Sequence, residues 1–213
     1  MRGRGEPWPG TPARDMRFLI LVKHAMREIE PVVPADRWRL GAAGRRQCTA
    51  LAQELERYLP ATVAASREPK ATETAERIAG ELAVPWRTVQ GLHELRRRSV
   101  GWLDDGRFEA AMRGFFERPG KLVFGEETAD EARRRFGEVV DRLVDEQPAT
   151  NLIVVAHGTV NSLYATNGRA DQAFELWRRL SCPSLIALSL PERRVLTVVE
   201  RMADRRGADE CGG

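Results

Sequence analysis

The sequence of 213 residues predicts an α/β fold, a three-layer α/β/α sandwich built on a mostly parallel central sheet. Three observations predict it. The runs Phe18–Val22 and Leu152–Ala156 are continuously apolar rather than alternating, the pattern of strands buried on both faces. Strand-like and amphipathic helical segments alternate along the chain. Both apolar runs lead into a histidine, His24 and His157, and an open α/β sheet binds its ligands beyond the carboxyl ends of its strands. The chain has three histidines, so two of them at strand ends point to a site shared by elements far apart in sequence.

The first strand covers 17–23. The segment Ala25–Arg39, broken by Pro31 and Pro34, follows it where an active-site loop would sit. Residues 41–58 read as a helix with Cys48, Leu51, Ala52, Leu55 and Leu59 on one stripe, stopped by Pro60. A short strand at 62–66 precedes a helix opened by Pro69 and running to Leu82, since proline suits a first helical turn. Residues 86–89 make a weak strand, and 92–98 match neither period. Residues 106–117 read as an inserted helix with Phe108, Met112, Phe115 and Phe116 on its apolar side. A long helix is expected over 126–146, with Ala132, Phe136, Val139, Val140 and Leu143 inward. A strand at 151–156, helices at 158–166 and 171–180, and an antiparallel pair at 184–190 and 194–199 complete the pattern. This gives one domain over 16–202 with a small helical insertion near 102–120, a disordered extension at 1–15 and a flexible tail at 203–213.

Composition narrows the function classes. Lys+Arg number 34 against 31 Asp+Glu, a net charge of +3 that is too interleaved for a nucleic-acid footprint. Asp130/Arg134 and Glu131/Arg135 are spaced as i,i+4 pairs on a solvated helix face, whereas Arg96-Arg97-Arg98 is dense enough to approach an anionic substrate. No apolar stretch nears the roughly 20 residues of a membrane span. Cys48, Cys182 and Cys211 form no disulfide or zinc pattern, which fits a reducing cytoplasm. With no HxH or HExxH spacing, a histidine-based metal hydrolase lacks ligands.

Five segments, in order, carry a resemblance. Lys23-His24-Ala25 resembles the Arg-His-Gly signature of the histidine phosphatase superfamily, which includes the cofactor-dependent phosphoglycerate mutases. Glu68-Pro69-Lys70-Ala71-Thr72-Glu73-Thr74-Ala75 is similar to its second segment, where a basic residue precedes Ala and a Thr-Ala pair. Leu92-His93-Glu94 resembles the segment with the acidic catalytic residue, Gly125-Glu126-Glu127-Thr128 the start of the long helix, and Val155-Ala156-His157-Gly158 the second histidine segment. The resemblance spans roughly residues 17 to 190 and implies a phosphoglycerate mutase-like fold.

What it implies for chemistry agrees with what phosphoryl transfer requires: an in-line nucleophile, a cationic cage and an acid for the leaving group. His24 would be the nucleophile forming a phosphohistidine, kept neutral by nearby cations. Lys23 and Lys70 would bind the phosphate, with His157 a further catalytic donor. Glu94 would protonate the leaving oxygen and then help activate water. No cofactor or metal enters this scheme, and the partner is a small phosphorylated substrate. Structural alternatives stand beside these roles: Lys70 is also placed to pair with Glu73 or Glu76, and Glu94 with Arg96, Arg97 or Arg98. His93 and the tryptophans Trp38, Trp86, Trp102 and Trp177 read as packing or lip residues.

The chain departs from the signature in three ways. Lysines replace both arginines, which keeps the charge but loses the bidentate fork, and the paired change suggests a coherent Lys-His-Ala subgroup. Ala25 replaces the glycine. The segment Met26–Pro31 carries Glu28 and Glu30, expected to point outward, and Arg27, placed to compensate for the lost forks. The expected function is hydrolysis of a small phosphomonoester. Mutase-type transfer to a second oxygen is less favoured in a compact chain without a long lid, and a noncatalytic phosphate- or phosphoprotein-binding module would have no use for a leaving-group acid.

Overall fold

The computed structural model describes residues 16–202; the expected extension at 1–15 and tail at 203–213 lie outside the described residues. Its six strands are β1 (Arg17–Lys23), β2 (Ala61–Ser66), β3 (Trp86–Val89), β4 (Asn151–Ala156), β5 (Ser184–Leu190) and β6 (Val195–Val199). They form one sheet in the order β3-β2-β4-β1-β5-β6. The pairs β3/β2, β2/β4 and β4/β1 are parallel, and β5 pairs antiparallel with both β1 and β6. The helices are α1 (Ala42–Leu55), α2 (Pro69–Leu82), α3 (Asp105–Glu117), α4 (Ala129–Asp145), α5 (Gly158–Ala165) and α6 (Ala170–Arg179).

The two-residue period of the strands sorts the core into two layers. Ile20, Val22, Val63, Ala65, Ile153 and Val155 face one side and pack on α1 and α2 through Cys48, Leu51, Leu55, Ala75 and Ile78. Leu19, Leu21, Leu152 and Val154 face the other and meet Phe136, Val140 and Leu143 of α4, Val160 of α5 and Leu176 of α6. The continuously apolar runs read from the sequence are these doubly buried strands. A third cluster joins Met112, Phe115 and Phe116 of α3 to Ala132 of α4, Leu163 of α5 and Phe174 of α6.

The long helix starts three residues later than expected, and the reason is chemical. Thr128 is its N-cap: its Oγ1 accepts from the Glu131 N–H at 3.1 Å, and Glu131 Oε2 accepts from the Thr128 N–H at 2.8 Å. This reciprocal box satisfies two end donors and stops the helix from extending back to Glu126. Glu126 and Glu127 instead accept from the N–H groups of Ser99 and Arg96, pinning the 92–99 loop. Gly125 makes that approach possible: it sits at φ +77°, and a Cβ there would lie 2.4 Å from the Arg96 carbonyl oxygen.

The i,i+4 reading of this helix is also corrected. Glu131 is used by the cap, Asp130 and Arg134 form no ion pair among the described residues, and Arg135 turns inward. Its guanidinium grips Glu127 at 2.7 and 3.1 Å and donates to the carbonyls of Gly91 and His93 at 2.8 and 2.9 Å. Sequence spacing identifies which residues can meet along a helix face, and a buried carboxylate outside the helix outcompetes an exposed one on it.

Candidate active site

Strand parity sets the orientation of the site. His24 continues the register of Ile20 and Val22, and His157 that of Ile153 and Val155, so both leave the sheet toward the α1/α2 side. Because β1 and β4 are neighbours, with Lys23 opposite Ala156, the two histidines end side by side. The His24 N–H donates to the Ala156 carbonyl at 3.1 Å, and the imidazole centroids lie 5.3 Å apart at 65°. Both rings are buried. His24, His157, Lys23, Lys70 and Glu94 all line one cavity of about 620 Å³.

The His24 ring is held in one tautomer. Nδ1 lies 2.8 Å from the carbonyl oxygen of Ala25, which can only accept, so Nδ1 carries the proton and Nε2 keeps its lone pair. Burial, then Lys70 and His157, hold the His24 pKa well below the usual imidazole value, so the neutral form persists at pH 7. The turn after it is fixed from two sides. The Ala25 N–H donates to Thr74 Oγ1 at 3.0 Å, and a Cβ on Gly44 of α1 would meet the Met26 carbonyl oxygen at 2.0 Å. Thr74, quoted above only as part of a motif, thus positions the residue following the histidine. Ala25 is fully buried in this turn.

His157 caps α5 with extended backbone. Its Nε2 lies 2.9 Å from Ser66 Oγ and 3.5 Å from Glu68 Oε1, and burial followed by Lys70 lowers its pKa strongly. Glu94 accepts the N–H groups of Leu95 at 2.9 Å and of Thr159, in the first turn of α5, at 3.1 Å. It forms no ion pair with Arg96, Arg97 or Arg98, so the structural alternative is not taken up; Arg98 pairs with Asp36. Burial raises the Glu94 pKa despite its N–H partners, and Glu68 adds to the rise.

The lysines are committed to the protein. Lys23 has the opposite parity to His24, and its ammonium donates to the Leu180 carbonyl beyond α6 at 2.6 Å. Lys70 pairs with neither Glu73 nor Glu76. Its Nζ contacts Glu68 Oε2 at 2.5 Å and the Ala35 carbonyl at 2.7 Å. Arg27 and Arg97 also line the cavity, and neither forms an ion pair among the described residues. Arg27 lies 5.9 Å from the Trp38 ring centroid and donates to Cys182 Sγ at 3.4 Å, while Arg97 lies 4.8 Å from that of Phe108. Glu28 and Glu30 are exposed, as expected, and neither lines the cavity.

Glu68 is the residue that sequence reasoning missed. It is buried at the N-terminus of α2, binds Lys70, sits beside His157, and accepts the Glu94 N–H at 2.8 Å. One carboxylate therefore touches three of the five expected site residues. The available signal was its place two residues before Lys70, at the start of a helix where the macrodipole favours an anion. His93 is half-buried and accepts from Arg96 Nε at 3.0 Å, on the wall that Arg135 secures.

Comparison with known proteins bears on the fold and the family. No protein of curated function matches the sequence. Among solved structures, a mycobacterial hydrolase is 19% identical with a TM-score of 0.71, over 88% of this chain and 100% of its own. A mycobacterial glucosyl-3-phosphoglycerate phosphatase complexed with VO3 is 19% identical with a TM-score of 0.70, over 88% and 99%. A phosphoserine phosphatase from Entamoeba histolytica, in complex with 3-phosphoglyceric acid, is 14% identical with a TM-score of 0.69, over 87% and 98%. At these identities the likeness is one of fold. The family model for the histidine phosphatase superfamily (branch 1) matches residues 19–205, so the chain belongs to that superfamily and with it to a family of phosphatase enzymes.

Proposed function

We propose that the protein hydrolyses a small phosphomonoester through a phosphohistidine on His24. The observation that carries this reading is the state of that ring: buried, neutral, with its proton held on Nδ1 and its Nε2 free, beside a second imidazole in the same cavity. In the first step the Nε2 lone pair attacks phosphorus. The P–N bond forms as the ester P–O bond breaks, and Glu94, whose pKa burial raises, gives its proton to the leaving oxygen. In the second step Glu94 takes a proton from water, water oxygen attacks phosphorus, and the P–N bond breaks to release phosphate.

The equatorial oxygens need donors in place before the reaction. An ammonium has three N–H donors. Lys70 spends two on Glu68 and Ala35, leaving one, and Lys23 spends one on Leu180, leaving two. Arg27 and Arg97 add guanidinium donors at the mouth, taking the part that the missing signature arginines leave open. The scheme routes no step through a metal ion. Hydrolysis is favoured over mutase-type transfer by the compact chain, and two of the three structural neighbours named above are phosphatases.

The test uses a labelled phosphomonoester with rapid alkaline quenching. The expected product is a protein adduct that is stable to base, labile to acid and absent from His24→Ala. A fully active His24→Ala enzyme would overturn the mechanism, and label recovered mainly on a second alcohol rather than as phosphate would assign the chain to transfer.

A further inference from the structure

The phosphate pocket accounts for only the floor of the cavity. Its 620 Å³ lies in the range of sites that enclose an organic molecule of drug-like size, far beyond one phosphoryl group. Above the two histidines the wall changes character. It is built from the 31–38 and 95–102 segments together with α3 and α6, and it is lined by Trp38, Trp102, Val100, Phe108, Met112 and Trp177.

Three features set aromatic rings into this wall beside its charged residues. The Trp38 indole N–H is already consumed, donating to the carbonyls of Glu30 and Val33 at 3.0 Å each, and the residue is only 5% exposed, so it backs the wall as a packed ring. The Trp102 ring stands 6.2 Å from it at 53° while remaining 53% exposed, an aromatic surface left open beside the cavity. Part of the charge at the rim is spent within the protein, Arg98 on Asp36 and Arg178 on Glu109. Arg27 and Arg97 stand over the rings of Trp38 and Phe108, where cation–π contact orients them. The Arg98–Asp36 pair joins the two loops, so the wall is tied across the mouth.

Resting on the phosphatase reading above, we infer that this chamber binds the leaving group and that the substrate is the phosphomonoester of a bulky aromatic alcohol. The exposed ring of Trp102, backed by Trp38 and joined by Phe108, holds its flat face, and the phosphoryl group reaches down to His24. Binding of a remote group is useful to an enzyme when it fixes the reacting bond at the nucleophile, so aromatic size should raise kcat/KM and not affinity alone.

The test has two arms. In the first, calorimetry compares methylphosphonate with 2-naphthylmethylphosphonate, neither of which can be hydrolysed. The aryl compound should bind at least about tenfold more tightly, the scale of one buried aromatic contact, and Trp102→Ala should bring the ratio close to one. Trp102 is half exposed, so this variant keeps its fold, and circular dichroism checks it. Equal affinities in the native protein, or a ratio that survives both Trp102→Ala and Phe108→Ala, would overturn the inference. In the second arm, phenyl, 2-naphthyl, benzyl and glycerol phosphates are assayed as substrates. A rise in kcat/KM with aromatic size supports the chamber. Turnover that is flat across the series refutes the chamber and leaves the phosphatase reading intact. Tight aryl phosphonate binding without turnover of any ester leaves the chamber standing and refutes the phosphatase reading.

Discussion

Glu68→Gln should separate phosphate binding from chemistry. The native carboxylate lies in the cavity that must accept a phosphate, yet it also holds Lys70, His157 and the Glu94 backbone. Its charge repels the ligand. For unit charges about 5 Å apart at an effective dielectric of 20, the repulsion is about 3 kcal/mol. The glutamine keeps an oxygen for the Glu94 N–H but removes that charge and releases a Lys70 donor. Solvent entering the cavity mouth screens part of the effect, so inorganic phosphate or vanadate should bind on the order of tenfold to a hundredfold more tightly, since 1.4 kcal/mol is tenfold. Turnover should move the other way. Lys70 loses its strongest anchor and Glu94 is less firmly placed, so kcat should fall by on the order of tenfold or more. Calorimetry with phosphate and steady-state kinetics on one aryl phosphate read the two effects separately. Glu68→Ala serves as the stability control: it strands the buried ammonium with the Ala35 carbonyl alone and should cost about 3 kcal/mol in a urea melt. Unchanged or weaker phosphate binding in Glu68→Gln would show that Glu68 and Lys70 act on the ligand as one neutral unit, and the charge argument would fail.

Stability should fall as pH drops below about 6.5, the ordinary histidine value. All three histidines have lowered folded-state values, His93 to about 4 and His24 and His157 well below 6.5. Between those values and 6.5 the unfolded chain binds more protons, so protons favour unfolding, and each group adds up to about 1.4 kcal/mol per pH unit. Glu94 has the opposite sign, because its raised folded value makes its contribution fade as pH rises through that value. Urea midpoints between pH 5 and 8 check this, and a flat profile below pH 6.5 would refute the buried neutral histidines. Arg135→Lys should lower kcat by roughly tenfold with little change in KM, because Arg135 secures the 91–96 loop carrying Glu94 without lining the cavity. An equal rise in KM would place Arg135 in substrate binding instead.

The layered fold was legible because burial on both faces leaves a plain mark, a continuous apolar run, and because Pro69 and Pro60 punctuate helix boundaries. The order of β-strands is less local. Nothing in the β4 sequence says that it inserts between β1 and β2, yet that insertion brings His157 beside His24. The placement of both histidines at strand ends suggested a shared site, the resemblance reinforced it, and parity explains why both rings leave the sheet on one side. The start of α4 was misread because Glu126 and Glu127 are good helix formers, and only tertiary structure shows that they are needed to hold Ser99 and Arg96.

The cationic cage is where residue type misleads most. Counting positive side chains near the signature histidine gives two lysines, but the charge a ligand meets depends on what each ammonium already touches. Lys23 lies on the opposite parity from His24, and its terminal group reaches Leu180. Lys70 shares its charge with Glu68 at contact distance. An arginine at either position could keep one protein contact and still present a second edge to phosphate, whereas a lysine bound to a carboxylate is close to a neutral dipole seen from outside. The lysine and Glu68 therefore form one structural choice. The pair fixes Lys70, His157 and Glu94 relative to one another, and on the proposed mechanism it would shift the work of attracting the anion to Arg27 and Arg97, which also line the cavity. On the proposed function, a site arranged in this way would draw more of its selectivity from the leaving group than from the phosphate, which would tie the departure at the signature to the chamber above it.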